Sequence, residues 1–144
     1  MDAKIKKGSI NTSTIKRIKH SREDGYLIEL FSKKYRDFKA VHSYLVCIAP
    51  GKTRAGHYHK KKTEVIFPVD GEVIITLRKT GGGSVHTSIG HGRNATEIAL
   101  NGENEDYSGL LISPQLWHLV ENRTDKKAKI IVFSDSFDLE DTYI

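Results

Sequence analysis

The chain has 144 residues, a length typical of one domain large enough to bury a hydrophobic core. Hydrophobic residues make up 38% and charged residues 28%, and no apolar run approaches the roughly 20 residues of a membrane span, which argues against a membrane or disordered protein. The formal net charge is +5, but the basic residues form short scattered clusters such as 60–62 and no nucleic-acid-binding motif is present. We therefore expect solvated basic surface or an anionic small-molecule partner, and neither nucleic acid nor membrane.

The amino-terminal residues and the cysteine content bear on the compartment. The charged segment at residues 1–8 is not followed by an apolar stretch, so no secretory signal is predicted. We therefore expect a cytoplasmic location. Cys47 is the one cysteine and cannot form an internal disulfide. It lies in an apolar run, which favours a buried structural thiol.

The predicted elements are short strands separated by turns. Residues 1–20 are polar and basic, and predict either an arm or an edge strand before the main domain, residues 21–144. A turn cluster at 21–25 and a polar, glycine-rich loop at 80–93 punctuate the chain. Strands are predicted at 26–31, 40–49, 65–67, 72–78, 95–100, 110–113, 117–121 and 128–133. Within residues 72–78, Val73, Ile75 and Leu77 alternate and should face the core. Without helical periodicity, this pattern predicts an all-β domain with a closed or sandwiched antiparallel sheet.

The most informative stretch contains two histidines one residue apart. On an extended strand His57 and His59 point to the same side, because side chains alternate with period two. A turn could return the carboxylate of Glu64 to the same space. Two imidazoles and one carboxylate suit a divalent metal such as Zn, Fe, Mn, Co or Ni. One bare histidine pair would more often be satisfied by backbone groups.

The spacing around these residues resembles the first signature motif of the cupins, with His57, His59 and Glu64 flanked by Gly51 and Gly71. The resemblance implies a single-domain jelly-roll β-barrel. It also implies a second motif, which residues 109–122 supply in a variant form, and His118 as the fourth metal ligand. Trp117 precedes that histidine and is a candidate to line a substrate pocket.

Within the cupins, residues 24–31 together with Arg54 and His57 are similar to epimerases and isomerases of 4-keto-6-deoxy nucleotide sugars. The tail from Asp135 also looks like the metal-binding cupin half of capsular-sugar enzymes. This likeness implies an enzyme of polysaccharide biosynthesis, a homodimer, an anionic nucleotide-sugar substrate, and Arg54 as a substrate-binding residue. The acid tyrosine that the epimerases carry after the second motif is missing from residues 129–133.

Two roles of His57 exclude each other, since a metal-bound imidazole has no free lone pair to accept a proton. With a metal (Zn, Fe, Mn or Ni), we expect carbonyl polarisation by the ion and proton transfer by Tyr44 or Lys60. Without a metal, His57 would be the base. The alternatives are a metal-dependent cupin dioxygenase and a non-catalytic module that binds a sugar or another small molecule.

Overall fold

The structure is a computed structural model that describes residues 13–31, 37–80 and 95–144. The described residues form strands β1 (Ser13–Arg17), β2 (Lys19–Arg22), β3 (Gly25–Ile28), β4 (His42–Ile48), β5 (Thr53–His57), β6 (Glu64–Asp70), β7 (Glu72–Lys79), β8 (Thr96–Asn101), β9 (Tyr107–Ile112), β10 (Leu116–Glu121) and β11 (Ala128–Ser134). The predicted loop at 80–93 lies almost entirely outside the described residues.

Two antiparallel sheets face each other. One has the strand order β1-β9-β6-β11-β4 and the other β5-β10-β7-β8, while β2 and β3 form a separate hairpin. This is the all-β jelly-roll barrel expected of a cupin. In the three described segments, no helix is long and apolar enough to cross a membrane.

The main core lies between the two sheets and follows the predicted alternation. Val73, Ile75 and Leu77 are at most 1% exposed, as expected for the inward positions of β7. They pack against inward residues of the facing sheet, including Ile66 and Val132. Each such apolar side chain contributes about 1.5–3 kcal/mol when fully buried.

A second core covers the outer face of the five-stranded sheet. Phe67 is fully buried there, with its ring edge-on to Phe31 and Phe133 and parallel to Tyr107. Gly109 leaves the space that Phe67 occupies, because a Cβ at this position would lie 2.4 Å from Phe67 Cδ1. This core joins the segment after β3 to the barrel.

Strand β1 forms an edge of the five-stranded sheet by pairing with β9. Ile15 of β1 is 1% exposed and belongs to the second core. An edge strand is one of the two interpretations of residues 1–20, although residues 1–12 are not among those described. The domain boundary at residue 21 remains a prediction.

The prediction of a buried Cys47 is wrong, because this residue is exposed. Strand β4 is the other edge of the five-stranded sheet, and its inward positions are Val46 and Ile48. Cys47 alternates with these residues onto the outer face, where Leu45 is also 60% exposed. An apolar run alone does not distinguish a central strand from an edge strand.

A β-bulge shapes the edge strand β5. Its pairing with β10 places His57 opposite His118, Ala55 opposite Leu119 and Arg54 opposite Val120, with a register shift that leaves Gly56 without a partner. Ala55 and Gly56 have φ values of 73° and 75°, a region that side chains with a Cβ rarely adopt. Because paired residues share a face, Arg54 and His57 both lie on the inner face of the sheet.

Candidate functional site

Three histidines meet at the inner face of β5 and β10. His57 ends β5 and pairs with His118, while His59 lies just beyond β5 in the connection to β6. The ring centroid of His57 lies 4.8 Å from that of His59 and 4.8 Å from that of His118. One nitrogen from each of the three imidazoles lies within 4.8 Å of the others. We call these residues the histidine cluster.

The carboxylate of Glu64 lies beside this cluster. Glu64 begins β6 and is 3% exposed, with its Oε1 3.3 Å from His59 Nε2 and 3.5 Å from His118 Nε2. The hydroxyl of Tyr44 donates a hydrogen bond of 2.9 Å to its Oε2. Burial would raise the pKa of Glu64, but the two imidazoles outweigh burial and hold this pKa far below its ordinary range. Glu64 is therefore a carboxylate at neutral pH.

Backbone carbonyls determine how the two buried imidazoles are oriented. His59 Nδ1 lies 2.6 Å from the carbonyl oxygen of Asp141, and His118 Nδ1 lies 3.0 Å from that of Leu116. A carbonyl oxygen only accepts hydrogen bonds, so both Nδ1 atoms must carry the hydrogen. The Nε2 atoms of both rings are thereby turned toward Glu64.

His57 and His59 have different proton affinities. Burial, followed by repulsion from His118 and His59, lowers the pKa of His57 to about 4. Burial also opposes charge on His59, but the adjacent Glu64 and the Asp141 carbonyl raise the pKa of His59 above its ordinary value. The half-buried His57 is therefore neutral near pH 7, with a lone pair available.

The side chains present at the site fit a divalent transition metal. Three imidazoles and a neighbouring carboxylate are donors that Zn, Fe, Mn and Ni accept in proteins. His59 Nε2 is buried without a well-directed hydrogen bond, which is the state of a nitrogen free to coordinate an ion. His57, His59 and His118, with Glu64 adjacent, would hold the ion.

The other predicted site residues lie at three different places. Tyr44 reaches the site through Glu64, and the exposed Arg54 lies on the same face as His57. The ammonium of Lys60 lies 4.3 Å from the ring centroid of Tyr143. Trp117 pairs with Arg78 on the face of β10 opposite His118, and its ring lies 4.4 Å from the Arg78 guanidinium carbon. The structure thus brings Tyr44 and Arg54, but neither the Lys60 ammonium nor Trp117, to the cluster face.

Two further residues of the site were missed by sequence reasoning. The expectation that residues 60–62 form a solvated cluster is wrong for Lys62, which is 5% exposed and whose charge helps to lower the pKa of His57. Asp141 is also 5% exposed, and contacts His59 from 82 residues further along the chain, so no local pattern indicated it.

Comparisons with known proteins agree with this fold. The structure superposes on QdtA, a sugar 3,4-ketoisomerase from Thermoanaerobacterium thermosaccharolyticum in complex with TDP, with a TM-score of 0.71 and 23% identity over 92% of this chain and 86% of that one. A histidine-to-asparagine mutant of QdtA matches similarly and contains TDP-4-keto-6-deoxyglucose. A 3,4-ketoisomerase from Helicobacter canadensis has a TM-score of 0.73 and 23% identity, covering 92% of this chain and 90% of that one.

The sequence comparison identifies the family. The search of curated proteins found no match. Residues 10–144, most of the chain, match the family described as FdtA: WxcM-like, C-terminal. The chain therefore belongs to the FdtA (WxcM-like, C-terminal) family of cupin-type proteins.

Proposed function

We propose that this protein is an isomerase that moves the keto group between C4 and C3 of a 4-keto-6-deoxyhexose linked to a nucleoside diphosphate. The observation that carries the proposal is a half-buried, neutral His57 beside a carboxylate held by two oriented imidazoles. Family membership and the fold shared with TDP-sugar 3,4-ketoisomerases support the same conclusion.

His57 would act as the base. Its neutral imidazole would take the proton from C3, next to the ketone, while the electrons of the C–H bond form the C3–C4 double bond of an enediolate. Transfer of the hydroxyl proton from O3 to O4 and return of a proton to C4 complete the conversion, so the protons balance and no oxidant or reductant is needed. A catalytic base must be unprotonated when the substrate binds, which the lowered pKa of His57 ensures.

Tyr44 would transfer protons to and from the substrate oxygens. Burial, and then the negative charge of Glu64, raise the pKa of Tyr44 well above its ordinary value, so the hydroxyl keeps its hydrogen at neutral pH. It can direct this hydrogen to Glu64, as in the present structure, or to a substrate oxygen in the site. Lys60 is a weaker candidate for this proton transfer, since its ammonium lies over the ring of Tyr143.

Arg54 would bind the diphosphate. It is exposed, and it shares the inner face of β5 with His57 because of the bulge. A guanidinium binds phosphate oxygens through two parallel N–H groups and stays charged at every accessible pH. The net charge of +5 adds a general attraction for an anionic substrate.

A divalent metal at the histidine cluster remains part of the proposal. His57, His59, His118 and Glu64 would hold it, and a bound ion would supply Lewis-acid polarisation of the substrate carbonyl. His57 could not then be the base, so the metal content decides between the two roles.

We also propose that the protein is a cytoplasmic homodimer. Among the described residues, β4 is an edge strand, and its exposed Leu45 and Cys47 support an interface between two copies, since an apolar sheet edge tends to associate. Molar mass measured by light scattering for wild type and Leu45→Asp tests this. A wild-type protein that is monomeric at micromolar concentration would contradict it.

The activity is tested with TDP-4-keto-6-deoxyglucose in deuterated water, followed by proton NMR. We expect exchange of the C3 hydrogen and formation of the 3-keto sugar with wild type, and neither with His57→Gln. The matched control is His20→Gln, which changes an exposed histidine of the separate hairpin. No formation of the 3-keto sugar with wild type would refute the isomerase proposal.

Elemental analysis of protein purified without chelator or nickel belongs in the same series, alongside His118→Ala. About one metal ion per chain that is lost in the variant would show that the histidine cluster binds metal, and would argue against His57 as the base. A metal-free, active wild type would assign His57 to proton transfer.

A further inference from the structure

The residue Asp141 closes the turn between β5 and β6. It is 5% exposed, and its carboxylate accepts three consecutive backbone N–H groups, from Lys60 at 2.8 Å and from Lys61 and Lys62 at 3.0 Å each. The turn that leads from His59 to Glu64 is thus organised around one carboxylate.

The backbone of the same residue contacts the histidine cluster. The carbonyl oxygen of Asp141 accepts the Nδ1 hydrogen of His59 at 2.6 Å. Two residues later, Tyr143 pairs with Tyr58 through backbone hydrogen bonds of 2.8 and 2.9 Å. Asp141 is therefore held by its own side chain, and the chain two residues further on is held by this pairing. Its carbonyl cannot shift without breaking several hydrogen bonds.

We propose that Asp141 is a positioning residue that keeps the His59 imidazole in the Nδ1–H tautomer and directs its Nε2 toward Glu64. A histidine ring has two nearly equivalent flipped orientations, and the hydrogen bond at one nitrogen decides what the other nitrogen contacts. With the ring flipped, Nδ1 would face Glu64 and the geometry of the cluster would change. The catalytic consequence rests on the proposed isomerase function, while the positioning itself does not.

The first test measures the tautomer directly, by histidine nitrogen NMR shifts of chelator-treated protein. We expect Nδ1 of His59 to carry the hydrogen in wild type, and the Asp141→Ala variant to show the Nε2–H form or a mixture. Amide hydrogen exchange at residues 60–62 should rise by about 10-fold or more in this variant, because the turn loses its acceptors. Asp141→Asn should be intermediate, since its amide keeps one acceptor oxygen but turns an NH₂ group toward the donors.

The matched control is Asp135→Ala. Asp135 is also a tail carboxylate that accepts a backbone N–H of the same segment, from Thr63 at 3.0 Å, but it is exposed. We expect this variant to leave the His59 tautomer unchanged. An unchanged His59 tautomer in folded Asp141→Ala would overturn the proposal. If that variant does not fold, an unchanged tautomer in Asp141→Asn, together with faster exchange at residues 60–62, overturns it.

The second test measures the isomerase reaction. Loss of an outer hydrogen-bonding partner typically lowers activity 10–100-fold, so we expect kcat of Asp141→Asn to fall by about this factor. KM should change by less than about twofold, because Asp141 does not contact substrate. A kcat equal to that of wild type in a variant whose tautomer has changed would refute the catalytic role. An inactive wild type would refute the proposed function instead, and the NMR result would still decide the positioning.

Discussion

Replacing Glu64 by glutamine tests whether the buried carboxylate and its two imidazoles stabilise the fold as a unit. Glu64 is 3% exposed, with two imidazole nitrogens at 3.3 and 3.5 Å and the Tyr44 hydroxyl at 2.9 Å. Removing one partner of a buried ion pair usually lowers the free energy of unfolding by about 3–5 kcal/mol. Glutamine keeps the shape of the side chain and one acceptor oxygen, so we expect a loss at the low end of this range, about 3 kcal/mol. Because the carboxylate has three partners, the loss of stability should exceed that caused by breaking any single surface pair.

The stability difference between wild type and Glu64→Gln should also depend on pH. The pKa of Glu64 is lowered from 4.5 by folding, so its stabilisation is present above 4.5 and is lost as the pH falls below that value. The pKa of His59 is raised from 6.5, so its share is fully present below 6.5 and is lost as the pH rises through its folded value. The difference between wild type and Glu64→Gln should therefore be largest between 4.5 and 6.5.

The assay is urea unfolding of chelator-treated protein, followed by the fluorescence of Trp117, the one tryptophan of the chain. The control is Glu105→Gln, whose carboxylate is 75% exposed and lies 4.0 Å from Lys19, and which we expect to cost less than about 1 kcal/mol. A cost below about 1 kcal/mol for Glu64→Gln near pH 5.5, or a constant cost across the pH range, would refute the reasoning.

Three further outcomes follow from the same structure. With His57 as the proposed base, whose pKa is lowered to about 4, kcat/KM should rise with pH through about 4 and level off above it; a limb centred near 6.5 would contradict this. Tyr44→Phe should lower kcat at least about 10-fold and Lys60→Met less than about twofold, and equal effects in steady-state kinetics would count against the proposed proton path. Gly109→Ala should destabilise the fold by about 1–3 kcal/mol in urea unfolding, since the added Cβ lies 2.4 Å from the ring of Phe67; an unchanged midpoint would mean that the second core can adjust.

The fold was largely predictable because alternation and turn residues are local signals. The inward positions of β7 and the positions of most strands are read directly from period-two patterns. Strand β9, by contrast, begins at Tyr107 instead of the predicted residue 110. The Tyr107 hydroxyl donates to the Pro68 carbonyl oxygen and its ring stacks on Phe67, and such contacts between distant residues leave no local pattern.

The site was predictable where one short segment supplies its residues. His57, His59 and Glu64 are close in the sequence, and the cupin likeness pointed to His118. Asp141 comes from a distant segment, and the burial of Lys62 depends on how that segment holds the turn. Trp117 is adjacent to His118 on β10, so alternation alone places its side chain on the face opposite the cluster, and the prediction that it lines the pocket overlooked this signal.

The bulge in β5 has a consequence for how related chains are compared. Residues three apart on a regular strand point to opposite faces, yet Arg54 and His57 point to the same face because Gly56 is left out of the pairing. Removing Gly56 would restore regular pairing and keep Arg54 on the inner face, whereas a strand that kept Gly56 in the pairing would turn Arg54 to the outside. The number of residues between this arginine and the first histidine therefore fixes the face of the arginine only when it is known whether the strand contains the bulge, so related chains should be compared for both.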